Sequence, residues 1–169
     1  IGLLTLQAAL TMGANRVLVI DRQPDRLAFA KRLGAEAATP ERTEEAYRSL
    51  FGERGVDTII DCVGVQSTRE QAIRQINPGG TIVAVGLGQD QSLLSMNHVV
   101  RQEVAIVGSY TYSDEDFEQA VRLLSQGKIT REIWSTTCGL EEAIGVFAAL
   151  ADGSAAFSKY IINPSEGAR

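Results

Sequence analysis

The chain is poor in the residues that build disulfide frameworks and metal sites. Its 169 residues include only two cysteines, Cys62 and Cys138, and one histidine, His98. Two cysteines cannot form a disulfide framework or a four-cysteine metal lobe, so we expect small, buried or half-buried thiols in a reducing cytoplasm. No apolar run reaches the length of about 18 residues that a membrane-spanning helix needs. These shortages argue against a disulfide-rich secreted protein and against a membrane protein.

Positive charge is also in short supply. The 16 lysine and arginine residues face 21 aspartate and glutamate residues, which leaves a net charge of −5. This balance argues against a nucleic acid or an anionic membrane as partner. A local basic cluster could meet a small phosphorylated ligand, although a solvated helix face is the simpler reading for most of its members: Arg22, Arg26, Lys31 and Arg32.

The start of the chain carries no initiator methionine, charged leader or cleavage site, so we predict no signal peptide. We interpret the first residues as lying in the middle of a secondary-structure element of a domain. The length fits one domain of ordinary size, and 44% hydrophobic residues allow a buried core.

Short β-rich runs alternate with helical patterns along the chain. Helix ends carry the usual signals, with Pro24 in a first turn, Gly34 past a last turn, and Ser113 with Asp116 as a capping box. The alternation predicts an α/β fold, a Rossmann-type doubly wound parallel sheet with helices on both faces. We predict helices at 1–12, 24–33, 41–51, 67–76, 96–101, 114–126 and 141–151, and strands at 16–21, 36–38, 57–62, 81–85, 103–108 and 158–162.

An acid and a glycine are spaced as in dinucleotide-binding domains. Asp21 ends the apolar run VLVID, and Gly2 lies about 20 residues before it in the first turn of a helix. At this spacing the acid accepts hydrogen bonds from an adenosine ribose. Gly2 would be the last fingerprint glycine, which lets the helix approach the sheet and aims its N-terminus at a pyrophosphate. Taken alone, the pattern fits a purely structural acid and glycine equally well.

Three consecutive predicted strands each deliver a glycine at their carboxyl ends, where open parallel sheets bind ligands. Gly64, Gly86 and Gly108 follow or end the strands at 57–62, 81–85 and 103–108. Glycine there would permit close backbone approach to a flat ligand. Each glycine alone is more often an ordinary turn residue, but their placement on one sheet edge favours a nucleotide site.

Five segments carry a resemblance to a known family: IGLLTLQAALTMGANRVLVIDRQPDRLAFAKRLGA, VDTIIDCVG, NPGGTIVAVGL, EVAIVGSYTYSDEDFEQAVRLLSQGKI and LEEAIGVFAALADGSAAFSKYIINP. In this order, over essentially the whole chain, they resemble the medium-chain dehydrogenase/reductase superfamily in its zinc-type alcohol and polyol dehydrogenase branch. The resemblance implies hydride transfer between a secondary alcohol or polyol and NAD in the intact enzyme. It also implies a catalytic zinc on ligands outside this chain, and a homodimer or homotetramer that associates through the strand at 103–108.

The resemblance implies cofactor-binding positions as well. Asp21 would bind the adenosine ribose, Gly2 would lie at the pyrophosphate, and the backbone at 85–87 would hold the nicotinamide carboxamide. The loop at 63–64 would flank the adenine. The full set of implied positions is Gly2, Asp21, Arg22, Arg26, Val63, Gly64, Val85, Gly86, Leu87, Ser109 and Tyr110 near the nicotinamide, and Lys159, which could reach the pyrophosphate.

Asp21 also bears on which dinucleotide binds. A 2′-phosphate would face its carboxylate, and two like charges about 4 Å apart cost about 1–4 kcal/mol between water and a surface-like dielectric. Arg22 could offset part of this cost, but NAD is predicted over NADP. We predict no catalytic and no metal-binding residue in this chain, because its cysteines and His98 have no ligand spacing.

Three alternatives remain open. A zinc-free, NADP-linked quinone or enoyl reductase of the same superfamily fits the fold, although Asp21 argues against it. A methyltransferase also places an acid at its second strand end, but the chain lacks an Asn/Asp-Pro-Pro motif. A non-catalytic nucleotide-binding module is the third possibility.

The strand that is central to the doubly wound order 3-2-1-4-5-6 would precede Ile1. We therefore expect residues 1–130 to form an N-terminally truncated NAD-binding domain that is missing its first strand. Residues 131–169 would return toward a catalytic domain that this chain does not contain.

A missing central strand would leave the strands at 16–21 and 57–62 without their shared neighbour. Unpaired buried backbone groups there would each cost a few kcal/mol, a large part of an ordinary domain's stability of about 5–15 kcal/mol. Trp134 and the strand at 158–162 would likewise lack partners and leave apolar surface exposed. We expect these 169 residues alone to be inactive and not to form a normal stable domain.

Overall fold

The computed structural model describes residues 1–131 and 134–165. The predicted C-terminal segment 131–169 therefore lies partly outside the described residues, at 132–133 and 166–169. The chain divides into two compact units, Ile1–Ala120 and Val121–Arg169. This division lies nearer the N-terminus than the domain boundary that we predict after residue 130.

Helices and strands alternate throughout the described residues. The helices are α1 (Gly2–Thr11), α2 (Pro24–Arg32), α3 (Thr43–Phe51), α4 (Gln66–Gln75), α5 (Met96–Arg101), α6 (Asp114–Ser125) and α7 (Ala143–Asp152). The strands are β1 (Leu18–Ile20), β2 (Glu36–Ala38), β3 (Val56–Asp61), β4 (Ile76–Ala84), β5 (Ala105–Gly108), β6 (Ser135–Gly139) and β7 (Lys159–Asn163).

The strands of the first unit pair in parallel. β1 pairs with β2, and β3, β4 and β5 form a second sheet in the order β3-β4-β5. Helices α2, α4 and α5 make the crossovers that parallel pairs require. Within the described residues, β1 and β3 each have a hydrogen-bonded strand on one side, and Ile60 of β3 is 39% exposed. The predicted α/β architecture with parallel strands is confirmed.

Two apolar clusters hold the elements of the first unit together. One cluster joins α1 to α2 through Leu6, Ala30 and Ala35. Helix α1 also contacts the end of β3, where Thr5 Oγ1 lies 3.6 Å from Cys62 Sγ. The other cluster packs α4, β4 and α5 together through Ala72, Ile73, Ile76, Ile82, Val99 and Val104.

Residues 77–80 have the sequence Asn-Pro-Gly-Gly, which is typical of a turn, yet they lie inside β4. Val56 pairs with Ile76, but Thr58 pairs with Thr81, so β4 contains extra residues relative to β3. These residues bulge from the ladder, which explains why their turn-forming sequence coexists with a longer strand.

The second unit contains a strand pair that we did not predict. β6 lies parallel to β7, from Ser135 opposite Lys159 to Gly139 opposite Asn163. The prediction that the strand at 158–162 lacks a partner is therefore wrong. β6 has the sequence STTCG, whose two threonines are its main strand signal, and it lacks the apolar alternation that marks most strands.

Trp134 also has partners, contrary to our prediction. Its Nε1–H donates to the Thr130 carbonyl at 2.8 Å, and its own carbonyl accepts from the Lys159 N–H at 3.1 Å. Apolar surface is nevertheless exposed in this unit, at Ile144 and Phe147 of α7.

The N-terminus of α6 is capped as predicted. The Ser113 N–H donates to Asp116 Oδ2 at 2.9 Å, and the Asp116 N–H donates to Ser113 Oγ at 3.2 Å. The backbone hydrogen bond from Ser113, and then that from its hydroxyl, hold the pKa of Asp116 below its ordinary value. The stabilisation is therefore fully present above the ordinary aspartate pKa and is lost as the pH falls through the lowered pKa.

Strand β5 begins at Ala105 rather than at the predicted residue 103, because Glu103 terminates α5 in a left-handed conformation. Its φ is 53°. The Val104 N–H donates to the Val99 carbonyl at 3.0 Å and the Glu103 N–H donates to the Val100 carbonyl at 3.2 Å. These are the paired bonds of a Schellman motif, a position that favours glycine.

We expect Glu103→Gly to stabilise the protein by about 0.5–1 kcal/mol, because glycine removes the Cβ strain but adds freedom to the unfolded chain. Urea unfolding of the full-length protein measures the change. Gln102→Gly is the matched control, since Gln102 has a φ of −97° and gains nothing from glycine. A loss of stability in both variants would contradict the prediction.

Candidate functional site

The carboxyl ends of three strands lie side by side at one edge of the sheet. The register places Asp61 of β3 opposite Ala84 of β4, and Ala84 opposite Gly108 of β5. The structure therefore brings together the three glycine-bearing strand ends that the sequence singles out, and the segments that follow them leave the sheet at the same level.

The loops that follow β3 and β4 contact each other through their backbones. The Gly88 N–H donates to the Val63 carbonyl at 3.0 Å, and the Gln89 N–H donates to the Gly64 carbonyl at 2.8 Å. A Cβ on Gly64 would overlap the carbonyl of Gly86, and a Cβ on Gly86 would overlap the backbone of Val63. The structure supplies one reason for these glycines, the approach of one loop to the other, and the close approach to a ligand that we predict for them stays a prediction.

Asp61 organises the β3 loop, and we did not predict a role for it. Asp61 is buried, with 7% of its surface exposed. Oδ1 accepts the N–H groups of Val63 at 3.0 Å and Gly64 at 2.9 Å, and Oδ2 accepts the Thr68 hydroxyl at 3.0 Å. An acid at the end of an apolar strand was the available signal, as it is for Asp21.

Asp21 lies directly after β1 with its carboxylate held in place. Oδ1 accepts the Gln23 N–H at 2.9 Å, and Oδ2 lies 3.5 Å from Arg26 Nη1. The Asp21 side chain is 28% exposed, so it can still accept hydrogen bonds from outside. The structure thus brings Arg26 to Asp21, in a partly exposed ion pair of the kind that adds little stability. Arg22 lies beside them and is exposed.

Gly2 is the first residue of α1. A Cβ added to it would meet no described atom within 4 Å, and the close helix–sheet approach that we predict for this glycine stays a prediction. The first turn of α1 contains no acidic residue. Its Thr5 contacts Cys62, which places this turn beside the end of β3.

The remaining predicted residues differ in their surroundings. The Ser109 N–H donates to the Ala84 carbonyl at 2.9 Å, while Tyr110 and Leu87 are each 79% exposed. Lys159 begins β7 in the second unit, so its reach to a pyrophosphate stays a prediction.

The described residues do not fit a metal site. No three of their histidine, cysteine, aspartate or glutamate side chains cluster closely enough to hold an ion. The two thiols are free, and His98 is exposed on α5. In the same residues, no helix has both the length and the apolar character needed to cross a membrane.

Parallel strands that alternate with helices, with an acid after β1 and apposed glycine loops after β3 and β4, are the architecture of a Rossmann-type domain. Residues 1–126 match a family described as zinc-binding dehydrogenase, and the chain belongs to this family. The family and the fold class that we predicted are confirmed.

Named relatives support this membership. The chain is 32% identical over 155 residues to the probable D-xylulose reductase A of Emericella nidulans, and 32% identical over 154 residues to the sorbitol dehydrogenase of Rattus norvegicus; both alignments cover 87% of this chain and 43% of the relative. It resembles the crystal structure of 2R,3R-butanediol dehydrogenase from Bacillus subtilis with a TM-score of 0.84 at 25% identity, covering 96% of this chain and 47% of that one. The chain thus spans less than half the length of these relatives.

We expect Gly64→Ala to lower the free energy of unfolding by about 3 kcal/mol, because the new Cβ combines a strained φ of 75° with backbone overlap. Chemical unfolding of the full-length protein measures the loss. Gly108→Ala is the matched control at the same sheet edge, where an added Cβ meets nothing within 4 Å and should change stability by less than about 0.5 kcal/mol. Equal losses in the two variants would show that the loop contact is not tight.

Proposed function

We propose that this chain is the NAD-binding part of a dehydrogenase that transfers hydride between a secondary alcohol or polyol and NAD. The observation that carries the proposal is the Asp21 carboxylate, fixed at the end of β1 by the Gln23 N–H and still partly exposed. A carboxylate at this position of a Rossmann-type sheet accepts hydrogen bonds from the adenosine ribose. Relatives named for D-xylulose and sorbitol favour a polyol within the alcohol class.

In this proposal the dinucleotide lies along the edge where the strands end. The backbone N–H groups of Gly2 and Leu3, at the start of α1, face the pyrophosphate. Val63 and Gly64 flank the adenine side, with Arg22 and Arg26 beside the ribose. When bound, the nicotinamide supplies the hydride chemistry, while this chain binds and orients the cofactor.

The nicotinamide side is assigned to the segment 85–87 together with Ser109 and Tyr110. The N–H groups of Val85 and Gly86 already donate to the Asp61 carbonyl, at 3.0 and 2.8 Å. This segment therefore offers its carbonyl oxygens, which suit the amino group of a carboxamide. Lys159 is assigned to the pyrophosphate.

Zinc, which the family name implies, receives no ligand from this chain in the proposal. The described histidine, cysteine, aspartate and glutamate side chains form no cluster of three that could hold it. We assign the protein to the cytoplasm because the two described cysteines are free thiols.

NAD is favoured over NADP because a 2′-phosphate would meet the Asp21 carboxylate, at a cost of about 1–4 kcal/mol for charges about 4 Å apart. The main alternative is a zinc-free, NADP-linked quinone or enoyl reductase, which would need Arg22 and Arg26 to bind the phosphate. A non-catalytic nucleotide-binding module is the remaining one. The Arg26 guanidinium already lies against Asp21, which leaves it less available for a phosphate.

Asp21→Asn tests the cofactor assignment. Asparagine keeps the oxygen that accepts the Gln23 N–H but removes the charge, so we expect about tenfold weaker NAD binding and at least a tenfold shift of the NADP-to-NAD affinity ratio toward NADP. Isothermal titration of the full-length protein with each dinucleotide gives both values.

Asp25→Asn is the control for this substitution, since Asp25 is an exposed acid in the first turn of α2. An unchanged affinity ratio in Asp21→Asn, or the same change in both variants, would contradict the assignment. Failure of the unaltered protein to bind either dinucleotide would overturn the proposed function itself.

We further propose that the protein is a homodimer or homotetramer that associates through β5. All four residues of β5 are exposed, among them Ile106 and Val107, and the described residues place one strand, β4, beside it. An exposed apolar edge strand is a template for pairing with another copy.

We expect Ile106→Lys to shift the full-length protein to a smaller species, because a lysine on an edge strand opposes pairing. Sedimentation velocity reports the change. Val100→Lys replaces another exposed apolar residue, on α5, and should leave the assembly intact. Retention of the same sedimentation coefficient in Ile106→Lys would rule out β5 as the interface.

A further inference from the structure

The buried carboxylate of Asp61 has no part in the proposed contacts with NAD, yet it holds one of the two loops that make them. Its three hydrogen-bond donors are the N–H groups of Val63 and Gly64 and the hydroxyl of Thr68. All three come from this chain, and Asp61 is 7% exposed. The side chain is thus occupied internally and cannot serve as a ligand-binding acid.

The main-chain carbonyl of Asp61 reaches the other loop. It accepts the N–H of Val85 at 3.0 Å and the N–H of Gly86 at 2.8 Å. One residue therefore fixes both loops, through its carboxylate on the β3 side and through its carbonyl on the β4 side. Two further backbone bonds, from Gly88 to Val63 and from Gln89 to Gly64, join the loops beyond this point.

Thr68 anchors the carboxylate to α4. Its hydroxyl lies 3.0 Å from Asp61 Oδ2 and 3.0 Å from the Val65 carbonyl, and the carboxylate is the stronger acceptor of the two. The Val65 N–H donates to the same hydroxyl at 3.1 Å. Thr68 belongs to the first turn of α4, where the positive end of the helix dipole favours a neighbouring carboxylate. The carboxylate of Asp61 is therefore held by the first turn of a helix as well as by the N–H groups of the loop.

The contact between Gly64 and Gly86 packs the two loops tightly against each other. Neither glycine has room for a Cβ, and packed backbone groups transmit a displacement rather than absorb it. A shift of the β3 loop must move the β4 loop with it.

We propose that Asp61 is a positioning residue that couples the adenine-side loop, residues 62–65, to the nicotinamide-side loop, residues 85–89, with Thr68 as its anchor. The inference rests on the proposed function, which assigns these loops to the two halves of the dinucleotide. Loss of the Asp61–Thr68 bond on the adenine side therefore changes the environment of the nicotinamide, which Asp61 does not touch.

Thr68→Val and Thr68→Ser form the matched pair that tests this role. Valine keeps the shape of threonine without the hydroxyl, while serine keeps the hydroxyl. In the full-length protein, titrations with NADH and with AMP separate the whole dinucleotide from its adenosine half, and the emission of bound NADH reports on the nicotinamide itself. Asp61→Asn is the second variant.

We expect Thr68→Val and Asp61→Asn to weaken NADH binding by about tenfold, the effect of one buried hydrogen bond, with a smaller effect on AMP. The emission maximum of bound NADH should also shift. In Thr68→Ser, the NADH affinity, the AMP affinity and the emission maximum should all match those of the unaltered protein. Hydrogen exchange at the Val85 and Gly86 amides should quicken in Thr68→Val even without ligand.

Each of the other possible results for these variants would contradict a different part of the proposal. Equal losses of affinity for NADH and AMP, with unchanged emission of bound NADH, would show that Asp61 acts on the adenine-side loop alone. A lower melting temperature with normal binding, emission and amide exchange would make its role structural only. If the unaltered protein bound neither NADH nor AMP, the proposed function would fail and this role with it, whereas normal binding by both variants would overturn this inference alone.

Discussion

The backbone ladder that joins β3, β4 and β5 is the constraint on which the first unit depends. Its register sets Asp61, Ala84 and Gly108 side by side, so the chain leaves three strands at the same level. The loops after β3 and β4 therefore lie against each other with their backbones in contact, which is possible only with glycine at 64 and 86. The shape of the site is therefore a consequence of strand register before any ligand is considered.

Much of this could be predicted because it is encoded locally. Apolar runs, proline at a helix start and glycine past a helix end depend on neighbouring residues, so the alternation of elements and the capping box of Ser113 and Asp116 follow from the sequence. The candidate acid Asp21 could be found in the same way, since its Gln23 partner lies two positions on. The glycines could be found by position, but not the loop contact that requires them.

The features that could not be predicted either have no clear signal in the local sequence or depend on partners far along the chain. β6 has a weak strand sequence and exists through its pairing with β7. Glu103 occupies a position that favours glycine because α5 ends there, and nothing in its side chain signals a left-handed backbone. Asp61 carries the same strand-end signal as Asp21, but its link to the other loop depends on Val85 and Gly86, which follow the next strand.

Two acids at strand ends thus have opposite characters. Asp61 is buried and saturated by donors from this chain, so its removal would leave N–H groups unsatisfied and cost stability. Asp21 is partly exposed, and its ion pair with Arg26 contributes little to folding. A substitution of Asp21 can therefore change the preference for NAD or NADP in the proposed enzyme with little loss of stability. The loops that shape the site are held by a different acid, Asp61, at the end of a different strand. Helix α1 contacts both regions, since it packs on α2 through Leu6 and on Cys62, directly after β3, through Thr5.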